Sequence, residues 1–317
     1  MSDIEIIQAI RSSDPVLENT PLGVLSIIAH YSRPNVLTFS KTSKTYTMHH
    51  CSTGGGTYSE QTLECPYSAS HIIGVDRDTI YLKGFNSDRG WSIFSFDIRT
   101  RTFRYRLHIN CGTALCILSL DHMTSESRGS KASMYISEFS YWGMFSFYKH
   151  NLITGESEVL LNMSGLRSDY ASFLYKDNIY IFGGNDNGMP TTKCERFDTK
   201  ENKWIETAPM RYLVKGIHVT AKDNFLYLIA EGGDFLMYDP EKNKWTILKR
   251  DDTLAAFPLE TFQYNKGKLV AITQPTKDSP SIVLEVDSTT QQFPWEPVLT
   301  IGKAGLDQKN CTYLVDE

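Results

Sequence analysis

The chain has 317 residues, of which 41% are hydrophobic and 12% are aromatic, and its net charge of -5 comes from 32 basic and 37 acidic residues. This charge argues against a protein that holds nucleic acid through its phosphates, because such proteins are basic. The six cysteines form no CxxC pair, which favours reduced thiols over a disulfide framework. No run reaches the roughly 20 apolar residues of a membrane span, and the first ten residues lack an export signal. We therefore expect a cytoplasmic or nuclear protein that binds neither nucleic acid nor membranes.

Residues 1–20 are predicted to be an N-terminal extension. Ser2 and Glu5 have the spacing of a capping box, and the isoleucines of residues 4–10 are compatible with a short helix. A frayed strand is the alternative. The pair Asp14-Pro15 ends either element, because the residue before a proline is disfavoured in a helix.

From Leu22 onward, short apolar runs alternate with turn residues and show no helical period, which predicts an all-β protein. The stretch 176–210 is the clearest example. Its apolar run Ile179–Phe182 ends in the pair Gly183-Gly184. Further along, Phe197 and Trp204 stand on either side of six residues that begin with aspartate. This spacing is typical of two aromatic residues that flank a tight β-hairpin.

The same spacing occurs six times in all along the chain, and the first members of the pairs recur at intervals of 57, 54, 47, 41 and 48 residues. Four of the turns begin with Asp and one with Asn, whose side chains bond their own backbone and so initiate turns. The third pair has lost both aromatic residues. The six pairs are Phe39 and Tyr46, Phe96 and Phe103, His150 and Ser157, Phe197 and Trp204, Tyr238 and Trp245, and Val286 and Phe293.

These residues resemble the kelch-repeat family, whose repeat has a period of roughly 50 residues and whose fold is the β-propeller. The resemblance is strongest over residues 170–250 and continues in register over residues 20–300. It implies a six-bladed, kelch-type β-propeller with four antiparallel strands in each blade. Only the fourth repeat has the family's double glycine in its expected place. The propeller is predicted to span residues 21–317, with blades near 21–50, 66–108, 113–162, 170–210, 214–250 and 260–298.

A propeller must join its last blade to its first, because otherwise it leaves open strand edges. The first repeat has no clear innermost strand. The apolar run Cys311–Val315 has no other partner, so we expect it to complete blade one and close the ring. The N-terminal run Ile4–Ile10 is the competing candidate.

The sequence contains no GxSxG elbow, P-loop, HExxH motif or dinucleotide-binding glycine pattern. His49, His50, Cys51, Cys65 and His71 could be read as a metal cluster, but the 13 residues between the cysteines match no compact zinc signature. His108, Cys111 and Cys116 are equally weak candidates. We therefore expect no catalytic residue, no metal and no cofactor. The alternative is a propeller-type enzyme that acts on a sugar or another small molecule at the mouth of the channel.

In this fold, the loops between second and third strands gather at one face with the loops that lead to the next blade. Five of the six blades place an arginine in these loops. Arginine forks bind carboxylates in two places, and aromatic side chains provide rigid contact area. The predicted partner-binding residues are Arg33, Arg89, Tyr141, Trp142, Arg167, Asn185, Asn187, Arg211, Tyr212 and Arg250.

This set predicts a non-catalytic adaptor or scaffold that binds a protein or peptide ligand, acidic or phosphorylated, on the loop face. Related kelch adaptors bind target peptides there, and Arg211 fits the family's place for such an arginine. The alternative is that the arginines pair with aspartates of the same loops and leave the face without a ligand. Those aspartates are Asp88, Asp169, Asp186, Asp234, Asp251 and Asp252.

Overall fold

A computed structural model describes the backbone of most of the chain between residues 35 and 315. The first 34 residues, including the predicted N-terminal helix, lie outside the described residues. None of the described residues forms a helix long and apolar enough to cross a membrane. The described ranges are 35–41, 45–52, 58–64, 68–76, 79–86, 90–97, 100, 102–108, 118–120, 133–139, 145–152, 154–165, 167–213, 216–230, 232–250, 259–265, 268–273, 281–286, 295–301 and 311–315.

The described residues form 27 β-strands and no helix. In chain order the strands are β1 (Asn35–Lys41), β2 (Thr45–Ser52), β3 (Tyr58–Glu64), β4 (Ser68–Asp76), β5 (Thr79–Asn86), β6 (Gly90–Asp97), β7 (Thr102–His108), β8 (Leu118–Leu120), β9 (Ser133–Phe139), β10 (Phe145–Asn151), β11 (Ser157–Leu160), β12 (Arg167–Ser168), β13 (Ala171–Tyr175), β14 (Asn178–Phe182), β15 (Asn185–Asp186), β16 (Met189–Pro190), β17 (Cys194–Asp198), β18 (Lys203–Thr207), β19 (His218–Lys222), β20 (Phe225–Ile229), β21 (Asp234–Asp239), β22 (Lys244–Arg250), β23 (Leu259–Asn265), β24 (Lys268–Thr273), β25 (Ser281–Val286), β26 (Trp295–Ile301) and β27 (Cys311–Val315).

Within the described residues, the strands form six four-stranded sheets and one small three-stranded sheet. The sheet orders are β27-β1-β2-β3, β4-β5-β6-β7, β11-β10-β9-β8, β13-β14-β17-β18, β19-β20-β21-β22, β23-β24-β25-β26 and the short β12-β15-β16. The chain divides into two compact units, residues 65–263 and residues 1–64 with 264–317, and the division falls within β23. The all-β, antiparallel architecture agrees with the sequence-based prediction.

The unit of residues 65–263 contains four of the six predicted hairpins. In each, the two predicted residues lie directly opposite each other on the third and fourth strands of a sheet. These hairpins are therefore confirmed. The pairs are Phe96 with Phe103, His150 with Ser157, Phe197 with Trp204, and Tyr238 with Trp245.

The turns of these hairpins are fixed by their first residue, as the sequence indicates. The Asp198 carboxylate accepts hydrogen bonds from the backbone N–H groups of Lys200 and Glu201, both at 3.0 Å. Asp239 holds the equivalent turn in the next sheet with the same geometry. In the third hairpin, Asn151 takes this place and accepts from the N–H of residue 154 at 3.0 Å. The conformation of each turn is therefore set by the side chain of its first residue, which is why the sequence predicts it.

The third hairpin replaces its aromatic pair with a polar one. His150 Nδ1 and Ser157 Oγ lie 3.0 Å apart across the strands, and the His150 side chain is buried. Burial lowers the pKa of His150, so the ring is neutral at neutral pH. The hydrogen bond between the two side chains takes the place of the ring contact that the other hairpins make.

Trp204 packs between two neighbouring sheets. Its ring lies 5.4 Å from the ring of Phe147 on the preceding sheet and 5.1 Å from that of Phe197 on its own sheet, centroid to centroid. The indole Nε1–H donates to the backbone oxygen of Leu161 at 2.7 Å, just beyond the outer strand of the preceding sheet. Trp204 is thus part of the scaffold.

The next repeat makes the same joint with equivalent residues. Trp245 donates its indole N–H to the oxygen of Ala208 at 2.8 Å, and the Asn243 side chain accepts from the Ala208 N–H at 2.7 Å. Asn202 likewise accepts from the N–H of Leu161, at 3.3 Å. Each Asn-Lys-Trp segment therefore satisfies both backbone groups of one residue on the preceding sheet. This hydrogen-bonded joint explains why asparagine stands two positions before tryptophan in both repeats.

The double glycine lets the chain turn sharply where β14 ends. Gly183 and Gly184 have φ angles of 59° and 87°, in the left-handed region. A Cβ on Gly184 would lie 2.3 Å from the backbone oxygen of Ser168 and 2.8 Å from Cβ of Tyr170. Only glycine fits such a close approach of two backbones.

We expect Gly184→Ala to destabilise the protein by about 2 kcal/mol more than Gly188→Ala, because only the first forces a steric clash. Gly188 is the matched control, since its φ of 81° is similar but a Cβ there meets nothing within 4 Å. Urea denaturation of both variants measures the difference. Equal stabilities would contradict the close backbone approach at Gly184.

In the unit of residues 1–64 and 264–317, the C-terminal strand β27 pairs with β1, from Phe39 opposite Cys311 to Asn35 opposite Val315. The strands β1, β2 and β3 are therefore the second to fourth of that sheet, and β3 ends at Glu64, beyond the residue 50 at which blade one was expected to end. The turn after Phe39 consequently joins the second and third strands. In this hairpin Phe39 lies opposite Met48, and Tyr46 lies opposite Lys41, so the predicted pairing of Phe39 with Tyr46 is wrong.

The last sheet also departs from the prediction. Trp295, and not Phe293, lies opposite Val286, so the connection between β25 and β26 is two residues longer than expected. Trp295 is buried. The sixth repeat thus has a tryptophan on its outer strand, as the fourth and fifth repeats do.

Candidate binding surface

Six of the ten predicted partner-binding residues lie in the described part of the unit of residues 65–263. The structure separates them into two groups. Arg167, Asn185 and Asn187 belong to a folded hairpin and its support, while Arg211, Tyr212 and Arg250 are exposed. The other four, Arg33, Arg89, Tyr141 and Trp142, lie outside the described residues.

The predicted loop 185–190 is a miniature β-hairpin. β15 and β16 pair with each other, and β12 adds a third strand. The turn residues Asn187 and Gly188 have φ angles of 51° and 81°, as a type I′ turn requires. The hairpin exposes 70% of the Met189 side chain at its tip. This methionine is an exposed apolar side chain that the prediction from charged and polar residues did not include.

Arg167 is not on an accessible face, which departs from its predicted role in binding. The residue is only 4% exposed, and its Nη2 lies 2.9 Å from Oε1 of Glu195. Its Nη1 donates to the backbone oxygen of Lys193 at 3.2 Å, and Ser164 donates to the same Glu195 oxygen at 2.5 Å. The guanidinium fork therefore ties β12 of the small sheet to β17 of the fourth sheet and supports the hairpin.

The described aspartates of these loops are engaged, but none of them forms an ion pair with an arginine. Asp169 accepts from the Asn185 side chain at 2.7 Å. Asp186 accepts from Lys193 Nζ at 2.8 Å, and this hydrogen bond is the main cause of the lowered pKa of Asp186. The Asn187 side chain also donates to Asp186, at 3.0 Å. Both asparagines thus stabilise the hairpin, and the expected alternative of aspartate–arginine pairs does not occur among these residues.

The segment 211–213 is the exposed edge that follows the fourth sheet. It is anchored by Met210, which is buried and whose N–H donates to the backbone oxygen of Thr192 at 2.9 Å. Arg211, Tyr212 and Leu213 are all exposed, and Leu213 leaves 56% of its surface uncovered. A fixed backbone therefore presents a cation, an aromatic ring and an aliphatic side chain side by side.

Tyr212 is linked electrostatically to the next sheet. Partial burial raises the pKa of its hydroxyl, and the neighbouring Asp234 carboxylate raises it further through charge and a hydrogen bond. Arg250 and Arg211 act in the opposite direction. The phenol is therefore neutral at physiological pH and lies near both predicted arginines.

The described residues include no group of three or more His, Cys, Asp or Glu side chains that could hold a metal ion. Cys194 is a free, fully buried thiol, and burial raises its pKa to about 11. Because the thiolate is the reactive form, this cysteine is unreactive at neutral pH. His49, His50 and Cys51 lie on β2, and His71 lies on β4.

Comparison with known families identifies the segment that contains the double glycine, the Asp-led turn and Trp204. Residues 166–211 match the family model for the kelch motif. This segment is a kelch motif. It runs from just before β12 to the exposed Arg211 and covers the whole fourth sheet. Kelch motifs build the blades of β-propellers, which commonly serve protein–protein interaction. No curated protein matches the chain.

Proposed function

We propose that the chain is a six-bladed β-propeller, closed by β27, that acts as a non-catalytic adaptor or scaffold. The six four-stranded sheets, the pairing of β27 with β1 and the kelch motif of residues 166–211 support this proposal. A stiff framework of sheets allows its connecting loops to specialise in binding.

The exposed segment 211–213 is the observation that carries the proposal. Arg and Tyr are enriched among the residues that dominate binding energy, and here both stand on a backbone fixed by Met210. Neither Arg211 nor Arg250 forms an ion pair within the described part of the chain, so both guanidinium groups suit a partner's carboxylates or phosphates. Arg33, Arg89, Tyr141 and Trp142 remain predicted members of the same surface.

The double variant Arg211→Ala with Tyr212→Ala should lose its protein partners. Truncating two such contacts is expected to reduce recovery in a quantitative pull-down by about tenfold or more. The matched control is Lys200→Ala with Lys242→Ala, which removes two exposed lysines from the Asp-led turns of the same two sheets. Those surface ion pairs contribute little to stability, so the control should stay folded.

Mass spectrometry of the proteins recovered with each variant gives the comparison. If the Arg211 and Tyr212 double variant recovers the same partners in the same amounts as the control, segment 211–213 is not the binding site. Circular dichroism of both variants confirms that any loss is not a loss of fold.

A further inference from the structure

A shallow apolar groove lies beside segment 211–213. One wall is the exposed connection after the fourth sheet, and the other is the outer hairpin of the fifth sheet. The groove is lined by Met210, Arg211, Tyr212, Leu236, Trp245 and Ile247. Four of these six side chains are apolar, and a fifth is a tyrosine that presents its ring.

The groove exists because one apolar strand face is only partly covered. Trp245 and Ile247 are two residues apart on β22, so their side chains point to the same face of the strand. The preceding sheet covers that face at Trp245, whose ring meets Phe182 at 5.4 Å between centroids. Further along the strand the cover ends, and 43% of the Ile247 side chain is exposed.

An irregularity in the hairpin sits at the same place. The register between β21 and β22 shifts between Phe235 and Leu236, and Leu236 lies directly opposite Ile247. Such bulges bend a strand and redirect the side chains around them. The exposed apolar end of β22 is therefore held by a defined backbone feature of the hairpin.

The rim of the groove is positively charged. Arg211 lines it, and Arg250 ends β22, three residues after Ile247. Asp234 lies opposite Arg250 on β21. Two exposed guanidinium groups without ion-pair partners among the described residues thus border an apolar floor.

We propose that this groove binds a segment of a partner protein in which an aliphatic or aromatic side chain lies next to a carboxylate. The apolar side chain packs on the exposed Ile247, and the carboxylate meets Arg211 or Arg250 at the rim. This assignment rests on the proposed interaction function and names the chemistry of the partner. It also predicts that partner binding depends on Ile247. Binding through the exposed arginines alone would not require this residue.

A phage-displayed library of random twelve-residue peptides, panned on the immobilised full chain, tests this groove. We expect the enriched peptides to place an aliphatic or aromatic residue within two positions of Asp or Glu. Fluorescence polarisation with one synthesised peptide should then show about tenfold weaker binding to Ile247→Ser and to Arg250→Ala. The matched control is Val159→Ser, because Val159 is a strongly exposed apolar strand residue on a different sheet.

Changing the peptide should have the same effect as changing the protein. Replacing its apolar residue by alanine, or its acidic residue by the corresponding amide, should each weaken binding to the wild-type chain. Three outcomes would contradict the proposed binding to this groove. The enriched peptides could lack acidic residues, they could bind Ile247→Ser as tightly as wild type, or the library could yield no binder.

The pull-down separates this failure from failure of the proposed function. If recovery of the partners still depends on Arg211 and Tyr212, the proposed interaction surface is supported and only the proposal for the groove fails. If neither the peptides nor the recovered partners depend on any of these residues, both proposals fail.

Discussion

Trp204→Ala is expected to lower the free energy of unfolding by about 3–5 kcal/mol, the usual range for truncating a packed aromatic residue. The indole ring packs against both Phe147 and Phe197, so its removal takes away the ring contacts that join the two sheets. The substitution also leaves the backbone oxygen of Leu161 without its indole donor. Both losses weaken the same joint between neighbouring sheets.

Urea denaturation followed by tyrosine fluorescence and circular dichroism measures this effect. Trp204→Phe is the matched control, because it keeps an aromatic ring and loses the hydrogen bond, which should cost about 1 kcal/mol. A Trp204→Ala protein within 1 kcal/mol of wild type would show that the tryptophan does not hold the two sheets together.

Arg167→Ala is expected to destabilise the protein by a similar amount, about 3–5 kcal/mol, because it leaves the buried charge of Glu195 without its partner. Glu195 is as buried as its partner, and its Oε2 has no hydrogen-bond partner, so the arginine is its main compensation. The double variant Arg167→Met with Glu195→Leu removes both charges and should be clearly more stable than Arg167→Ala.

This pair of variants also tests the assignment of Arg167 to the scaffold. Thermal and urea denaturation of the single and double variants gives the ranking. At temperatures where the double variant is folded, it should recover partners as wild type does. If the double variant is folded but no longer recovers its partners, Arg167 contributes to partner binding after all. If Arg167→Ala and the double variant are equally stable, the buried ion pair is contradicted.

The hairpins of the second to fifth sheets were predictable because their determinants are local. An aspartate or asparagine starts each turn, and the residues at the two ends of the six-residue spacing face each other across two antiparallel strands. The double glycine was predictable for the same reason, since left-handed φ angles favour glycine. Even the loss of the aromatic pair at His150 and Ser157 left the hairpin recognisable.

The first and last sheets were harder to place because their determinants are not local. The strand that completes the first sheet comes from residues 311–315, and its arrival makes β1 the second strand rather than the third. In the last sheet, a longer connection moves the outer aromatic residue from the expected Phe293 to Trp295. A fixed spacing along the sequence cannot anticipate either change.

The candidate binding surface was likewise predictable only in part. The positions of Arg211, Tyr212 and Arg250, at or just after the ends of outer strands, could be predicted from the strand pattern, because connections between strands are exposed by default. Exposure of the individual side chains could not be read in this way. Arg167 was predicted to lie in the same class of loop, but it lies on β12 and is buried in an ion pair with Glu195 of β17.

By itself, the sequence determined the all-β architecture, the kelch-like hairpins and the places where the chain turns, because backbone geometry and turn chemistry act over a few residues. The tertiary structure decided which strand completes the first sheet, which arginine is buried, and where the apolar face of β22 remains uncovered beside Ile247. These features depend on contacts between residues far apart in the chain, and the burial of a charge or an apolar side chain is a property of those contacts alone.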